Sequence, residues 1–163
     1  MQHAHKKPVI VLGIDPGYDR CGIAVVEQQH NKDTLLWSSC ITPAPGVLDA
    51  RFLEIGTVLE HTITKWGPKI LACEKIFFTK NQKTGIAVAE LRGIIRYIAA
   101  LHALPFLEFT PQEIKRAVTG YGNADKSQVS AMVRALLTMD ATRRHDDEYD
   151  AIAVALTARP LMR

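Results

Sequence analysis

The chain has 163 residues, 47% of them hydrophobic and 23% charged, with a net charge of +3, a composition that excludes a disordered chain and fits a globular domain. No apolar run approaches the ~18 residues of a membrane span, and the polar start leads into a strand pattern rather than a secretory signal, so no membrane association is expected. The three cysteines, Cys21, Cys40 and Cys73, are odd in number and lack a C-x-x-C pair, which argues for a reduced cytoplasmic setting over a disulfide frame or a zinc site.

Residues 1–7 read as a flexible polar arm ahead of a single domain over 8–163. Val9-Ile10-Val11-Leu12-Gly13-Ile14 is an apolar, largely β-branched run, as expected of a strand buried on both faces, and it stops on Asp15 before a Pro16-Gly17 turn. Asp15 taken alone reads more readily as a cap of that turn. Gly22 to Val26 predicts a second strand and Leu35 to Ile41 a third. Three strands joined by tight turns make an antiparallel meander.

From Leu48 the period changes: Leu48, Phe52, Ile55, Leu59, Ile63 and Trp66 recur every three or four residues, one face of a helix that Gly67-Pro68 ends. Lys69 to Glu74 is a short fourth strand that again finishes on a carboxylate. A basic segment with adjacent aromatics, Lys75 to Lys83, leads into a helix from about Thr84 to His102, whose apolar residues extend more than halfway round and leave a face for a second contact. Leu104 to Phe109 is the fifth strand. Thr110-Pro111-Gln112-Glu113 is a helix start with a capping Thr, Pro at the first helical position and Glu three beyond the cap. Further helices run from Lys126 to about Met139 and from about Asp147 to Arg159.

A meander followed by alternating helices and strands predicts an α/β fold: a five-stranded mixed sheet, with strands 1–3 antiparallel, strands 4 and 5 parallel, and helices on both faces. A right-handed crossover through the first helix places the fourth strand beside the first, which sets Asp15 next to Glu74. Asp147 and Asp150, spaced i, i+3, share a face in the first turn of the last helix, where acids also complement the helix dipole. Asp146 and Asp150, at i, i+4, form an equally allowed pair, and His145 is a further possible ligand. The apolar run Ala151 to Leu156 packs that helix on the sheet, so its first turn delivers carboxylates to the core edge. Four acids gathered at one place repel unless cations intervene, and hard oxygen donors select Mg²⁺ or Mn²⁺. Two such ions suit in-line phosphoryl displacement, with Asp15 bridging, Glu74 on one ion and Asp147 and Asp150 on the other. One of Phe77 and Phe78 is expected in the core. The other, beside Lys75 and Lys80, is placed to stack on an unpaired base, and Lys115 and Lys126 flank a Gly-rich loop where they can meet phosphates.

Val11-Leu12-Gly13-Ile14-Asp15-Pro16-Gly17 with Gly22 resembles the first motif of the RuvC family of Holliday junction resolvases. Cys73 to Asn81 resembles its second motif and Ala89-Glu90-Leu91-Arg92-Gly93 its dimer-helix segment. Lys115 to Val129 is similar to its basic segment, and Asp147 to Ala155 completes the set. The resemblance spans nearly the whole chain after Pro8. It implies a ribonuclease H-like fold, a homodimer and Mg²⁺-dependent paired nicking of four-way junction DNA that leaves 5′-phosphate and 3′-hydroxyl ends. It carries the catalytic, metal-binding acids onto Asp15, Glu74, Asp147 and Asp150, a junction-contacting aromatic onto Phe77 and phosphate-contacting lysines onto Lys115 and Lys126. Lys80, beside the exposed ring, is a further expected DNA contact. The resemblance also points to the RuvA–RuvB branch-migration complex as a partner. Tyr18 departs from the small polar residue common at its position. Rival readings are a YqgF-like nuclease acting on RNA, an actin-like nucleotide-binding module, for which 163 residues leave room for one lobe only, and a non-catalytic DNA-binding protein, which predicts no loss when the acids are replaced.

Overall fold

The structure is a computed structural model that describes residues 7–29, 32–75, 82–137, 139, 142 and 144–159, without the side chains of 82 and 83. Phe77, Phe78 and Lys80, and residues 1–6 of the N-terminal arm, lie outside the described residues. Five strands and five helices follow one another as β1 (Val9–Asp15), β2 (Cys21–Gln28), β3 (Asp33–Ile41), α1 (Leu48–Trp66), β4 (Ile70–Glu74), α2 (Gln82–Leu101), β5 (Phe106–Phe109), α3 (Pro111–Thr119), α4 (Lys126–Leu137) and α5 (Asp146–Thr157).

The strands form one sheet in the order β3-β2-β1-β4-β5. β1 pairs antiparallel with β2, β2 antiparallel with β3, and β1 and β5 both lie parallel to β4. This is the mixed sheet that the order of strands and helices predicts, with β4 beside β1. β2 and β3 run longer than their apolar stretches because polar residues continue the ladder. Gln28 is buried and donates from Nε2 to the Ala155 carbonyl at 3.0 Å, and Asp33 accepts from Arg159 at 3.1 Å. β5 starts later than Leu104 because that residue closes the turn that caps the C-terminus of α2, its N–H bonding the Ala99 carbonyl at 2.8 Å beside Ala103 at φ 52°.

Alternation along the strands divides the core in two. Leu12, Ile14, Ile23, Val25 and Leu71 face α1 and α2, meeting Ile55, Leu59, Leu91 and Ile95. Val11, Ala24, Val26 and Ala72 face the other way, onto Ile114 of α3, Val129 and Val133 of α4 and the whole inner side of α5. α1 stops where Gly67 adopts φ 57° and returns its N–H to Ile63, as the Gly-Pro pair predicts. α3 starts with the expected capping box, Glu113 N–H to Thr110 Oγ1 at 3.2 Å and Thr110 N–H to Glu113 Oε2 at 2.7 Å.

Candidate active site

Asp15 and Glu74 are the last residues of β1 and β4. The parallel register pairs Ile14 with Cys73, so the next step along both strands sets the two acids abreast. Across the sheet, Asp15 pairs with Gly22 and Gly22 with Cys40, making one row of residues on the face that carries α5.

α5 reaches this row because the sheet has no side chains in its way. A Cβ at Gly22 would stand 1.9 Å from the Asp147 carbonyl oxygen, and one at Gly13 would stand 2.3 Å from that of Ala151. Alanines on the facing side, Ala151 and Ala155, complete the close approach. The backbone of Asp147 therefore rests on β2, one strand away from Asp15. Its carboxylate receives the Cys40 thiol at 3.7 Å and lies 3.4 Å from Arg20 Nε.

The helix turns Asp147 and Asp150 inward and Asp146 out: their side chains are 14%, 29% and 72% exposed. This settles the register that spacing left open in favour of the i, i+3 pair as the inward-facing one. His145 sits just before the helix and is itself exposed. Lys126, at the start of α4, reaches Asp150 at 3.0 Å and Asp146 at 3.7 Å.

The electrostatics record the crowding. Asp15 is pushed up to about 7, first by burial and then by repulsion from Asp150, Glu74 and Asp147, against the pull of Lys126. Glu74 is raised by burial and by Asp150, while Lys115 and Lys126 pull it down. Asp150 is raised by burial, with Asp147 and Asp146 repelling it and Lys126 opposing them. Burial works against the charge of Lys126, but the hydrogen bond to Asp150 and the surrounding carboxylates hold its pKa above the ordinary lysine value. Four acids and two lysines, Lys115 and Lys126, thus share one field at the sheet end.

The donors are carboxylate oxygens, which suit a hard divalent cation rather than a thiophilic one. Among the described residues no three His, Cys, Asp or Glu side chains already close on a common point. The acids form an open cluster, with Lys126 held against Asp150 in the position of a resident counter-charge. A carboxyl whose folded pKa lies above its unfolded value favours the fold most when protonated, and that contribution fades as pH rises from about 4 through about 7. The expected result is that, with divalent ions chelated, Asp15→Asn gains stability over the parent as pH rises through that window, by up to the order of 4 kcal/mol. Mn²⁺ at pH 8 is expected to raise the parent's melting temperature more than the variant's. Paired thermal melts from pH 4 to 8 check both, and a pH-independent difference would refute the account.

Sequence reading did not find Arg20, Ser38, Cys40 and Glu148, all of which bear on the first turn of α5. Ser38 and Cys40 alternate with Trp37 and Ile41, which pack into the core on the opposite side of the sheet, a pattern that marks a face but names no partner. Small residues at alternate positions, Gly13 in β1 with Gly22 and Ala24 in β2, were the one readable sign that a helix lies close.

The model of the family described as crossover junction endodeoxyribonuclease RuvC matches residues 11–158. A protein of that name from Moorella thermoacetica is 42% identical over 149 residues, covering 91% of this chain and 89% of the relative. One from Halothermothrix orenii is 40% identical over 149 residues, covering 91% and 90%. Among solved structures, Thermus thermophilus RuvC in complex with a Holliday junction substrate superposes with a TM-score of 0.88 at 28% identity, covering 95% of each chain.

Proposed function

Because the chain belongs to the RuvC family of crossover junction endodeoxyribonucleases, we propose that Asp15, Glu74, Asp147 and Asp150 are the acids with which it cuts. The protein is a Holliday junction resolvase, a metal-dependent nuclease of ribonuclease H-like fold that binds junction DNA. The observation that carries the assignment of the acids is the state of Asp15: a buried carboxyl at the end of a core strand, repelled by three others from β4 and α5.

Two Mg²⁺ ions, replaceable by Mn²⁺, are the proposed occupants, and when bound they supply a polarised water and stabilisation of the departing oxygen. Asp15, central in the sheet, Glu74 and the α5 acids Asp147 and Asp150 are the residues that would hold them. Lys115, which faces Glu74 across the cluster, holds a phosphate of the cut strand. Lys126, 3.0 Å from Asp150, would meet a second phosphate of the DNA. In-line attack by water on phosphorus breaks the bond to the 3′ oxygen, so the ends are 5′-phosphate and 3′-hydroxyl. Phe77 and Lys80 follow β4 directly in sequence and are proposed to meet the bases and backbone at the crossover.

A junction presents two equivalent strands, so a two-fold dimer with one acid cluster per protomer matches its symmetry. α2 exposes Ile86, Tyr97 and Leu101, and neighbouring α1 exposes Leu53, an apolar face that suits the homodimer contact. RuvA–RuvB is the proposed branch-migration partner. No described helix is long and apolar enough to cross a membrane, and Cys21, Cys40 and Cys73 are all free thiols, which suits a cytoplasmic enzyme.

The deciding experiment incubates the protein with a synthetic mobile four-way junction, a linear duplex and a structured RNA, with and without Mg²⁺, and maps the cut strands. The expected outcome is paired nicks at symmetric positions in the junction alone, with ligatable ends and only with the ion present. Equal cutting of the duplex, or preference for the RNA, would overturn the reading.

A further inference from the structure

Glu148 is the buried carboxylate of α5 that takes no part in the acid cluster. It is 8% exposed, and the carboxylates that act on Asp15 are those of Asp150, Glu74 and Asp147. Both of its oxygens are nevertheless used. Oε1 accepts the His145 N–H at 3.1 Å, closing the start of the helix on itself. Oε2 accepts the hydroxyl of Ser38 at 2.7 Å, from a residue 110 positions earlier in the chain.

Ser38 lies on β3, an outermost strand of the sheet, paired with Ala24 on the α5 face. Two residues further along the same strand, Cys40 donates to Asp147. β3 thus addresses two consecutive side chains of the helix, one of them a proposed metal ligand. Successive helix residues are ~100° apart, so a tie at Glu148 sets the roll of the helix about its own axis. The bare surface at Gly22 and Gly13 sets its height, and the tie to Ser38 adds to the packed side chains of α5 in holding that roll. A roll of ~20° would swing a carboxylate carried ~5 Å from the axis by about 2 Å.

We propose that Ser38 and Glu148 are positioning residues for cleavage: their hydrogen bond fixes the roll of α5 and so aims Asp147 and Asp150 at Asp15. The role rests on the assignment of those acids as catalytic. Neither residue touches DNA or metal in this scheme. Misplacing catalytic groups by ~1 Å can cost ~10²-fold in rate, so loss of the tie should cost at least about tenfold.

The test uses full-length Ser38→Ala, Ser38→Thr, Glu148→Ala and the Ser38→Ala/Glu148→Ala double variant, with Asp147→Asn alongside. Single-turnover cleavage of a saturating four-way junction in Mg²⁺ is read together with junction affinity in chelator and with the thermal midpoint. Each alanine variant is expected to cut about tenfold slower or worse, with affinity within about twofold of the parent. The double variant should be no slower than the slower single one, because both lose the same bond. Ser38→Thr, which keeps the hydroxyl, should restore the rate. Parent-like cutting by Ser38→Ala overturns the proposal, as do multiplying losses in the double variant, failure of Thr to rescue, or a rate loss matched by an equal loss of affinity. If Asp147→Asn is inactive while Ser38→Ala cuts normally, the positioning role alone falls. If Asp147→Asn cuts normally, the assignment of the acids falls and takes the role with it.

Discussion

Asp15→Asn is expected to lower single-turnover junction cleavage by on the order of 10³-fold or more while leaving junction binding intact. Asparagine keeps the shape of the side chain and one carbonyl oxygen, so β1 and its register with β4 are undisturbed. It removes the charge that burial and three neighbouring carboxylates make costly to hold, and with it a donor proposed to hold the metal. The metal-free variant should therefore bind the DNA polyanion at least as well as the parent, because one repelling charge has gone from beside the phosphates. Gel shifts in chelator and strand cleavage in Mg²⁺ separate the two effects. Full nicking by Asp15→Asn would reject the central role of this residue, and a parallel loss of binding would mean that it serves the fold or the DNA contact instead.

Gly22→Ala should be nearly as damaging through a different route. The added methyl would stand 1.9 Å from the Asp147 carbonyl oxygen and 2.6 Å from its carbon, both backbone atoms that no rotamer change can move. α5 must lift from the sheet at its first turn, carrying Asp147 away from Asp15 and stretching the contacts to Cys40 and Ser38. Overpacking of this kind typically costs about 1–3 kcal/mol of stability, and displaced catalytic groups cost ~10²-fold in rate. Gly46→Ala is the matched control, since a Cβ there meets nothing within 4 Å. Urea melts and cleavage rates of the two variants check the prediction. Equal behaviour of both would show that the approach of α5 to β2 is not what sets the site.

Much of this arrangement was legible before any coordinates. An apolar strand that ends on a carboxylate is a conspicuous object in a sequence, and this chain has two, Ile14-Asp15 and Cys73-Glu74. The order of strands and helices then placed those two strands side by side, because a strand-helix-strand unit returns next to its start. α1 was readable to its bounds because its apolar spacing is regular and a Gly-Pro pair closes it. The choice between Asp146 and Asp147 was not readable, since i+3 and i+4 both share a face with Asp150 and only the roll of the helix separates them. Ser38 bonds Glu148 in the first turn of α5, and no local rule links a serine in an outer strand to a glutamate more than a hundred residues away. Arg20 beside Asp147 and Lys126 against Asp150 escaped for the same reason: surface cations in a sequence carry no sign of which acid they will find. Glu27-Gln28 and Asp33-Thr34 were missed as strand because backbone pairing does not require apolar side chains.

The sheet separates two interiors, one shared with α1 and α2, the other with α3, α4 and α5, and every acid of the cluster opens on the second. The exposed apolar face of α1 and α2 lies behind the first. A protein engineer is thus handed two storeys with a floor between them: the lower can be recoloured with charges to tune the proposed self-association while the furnishings above stay in place.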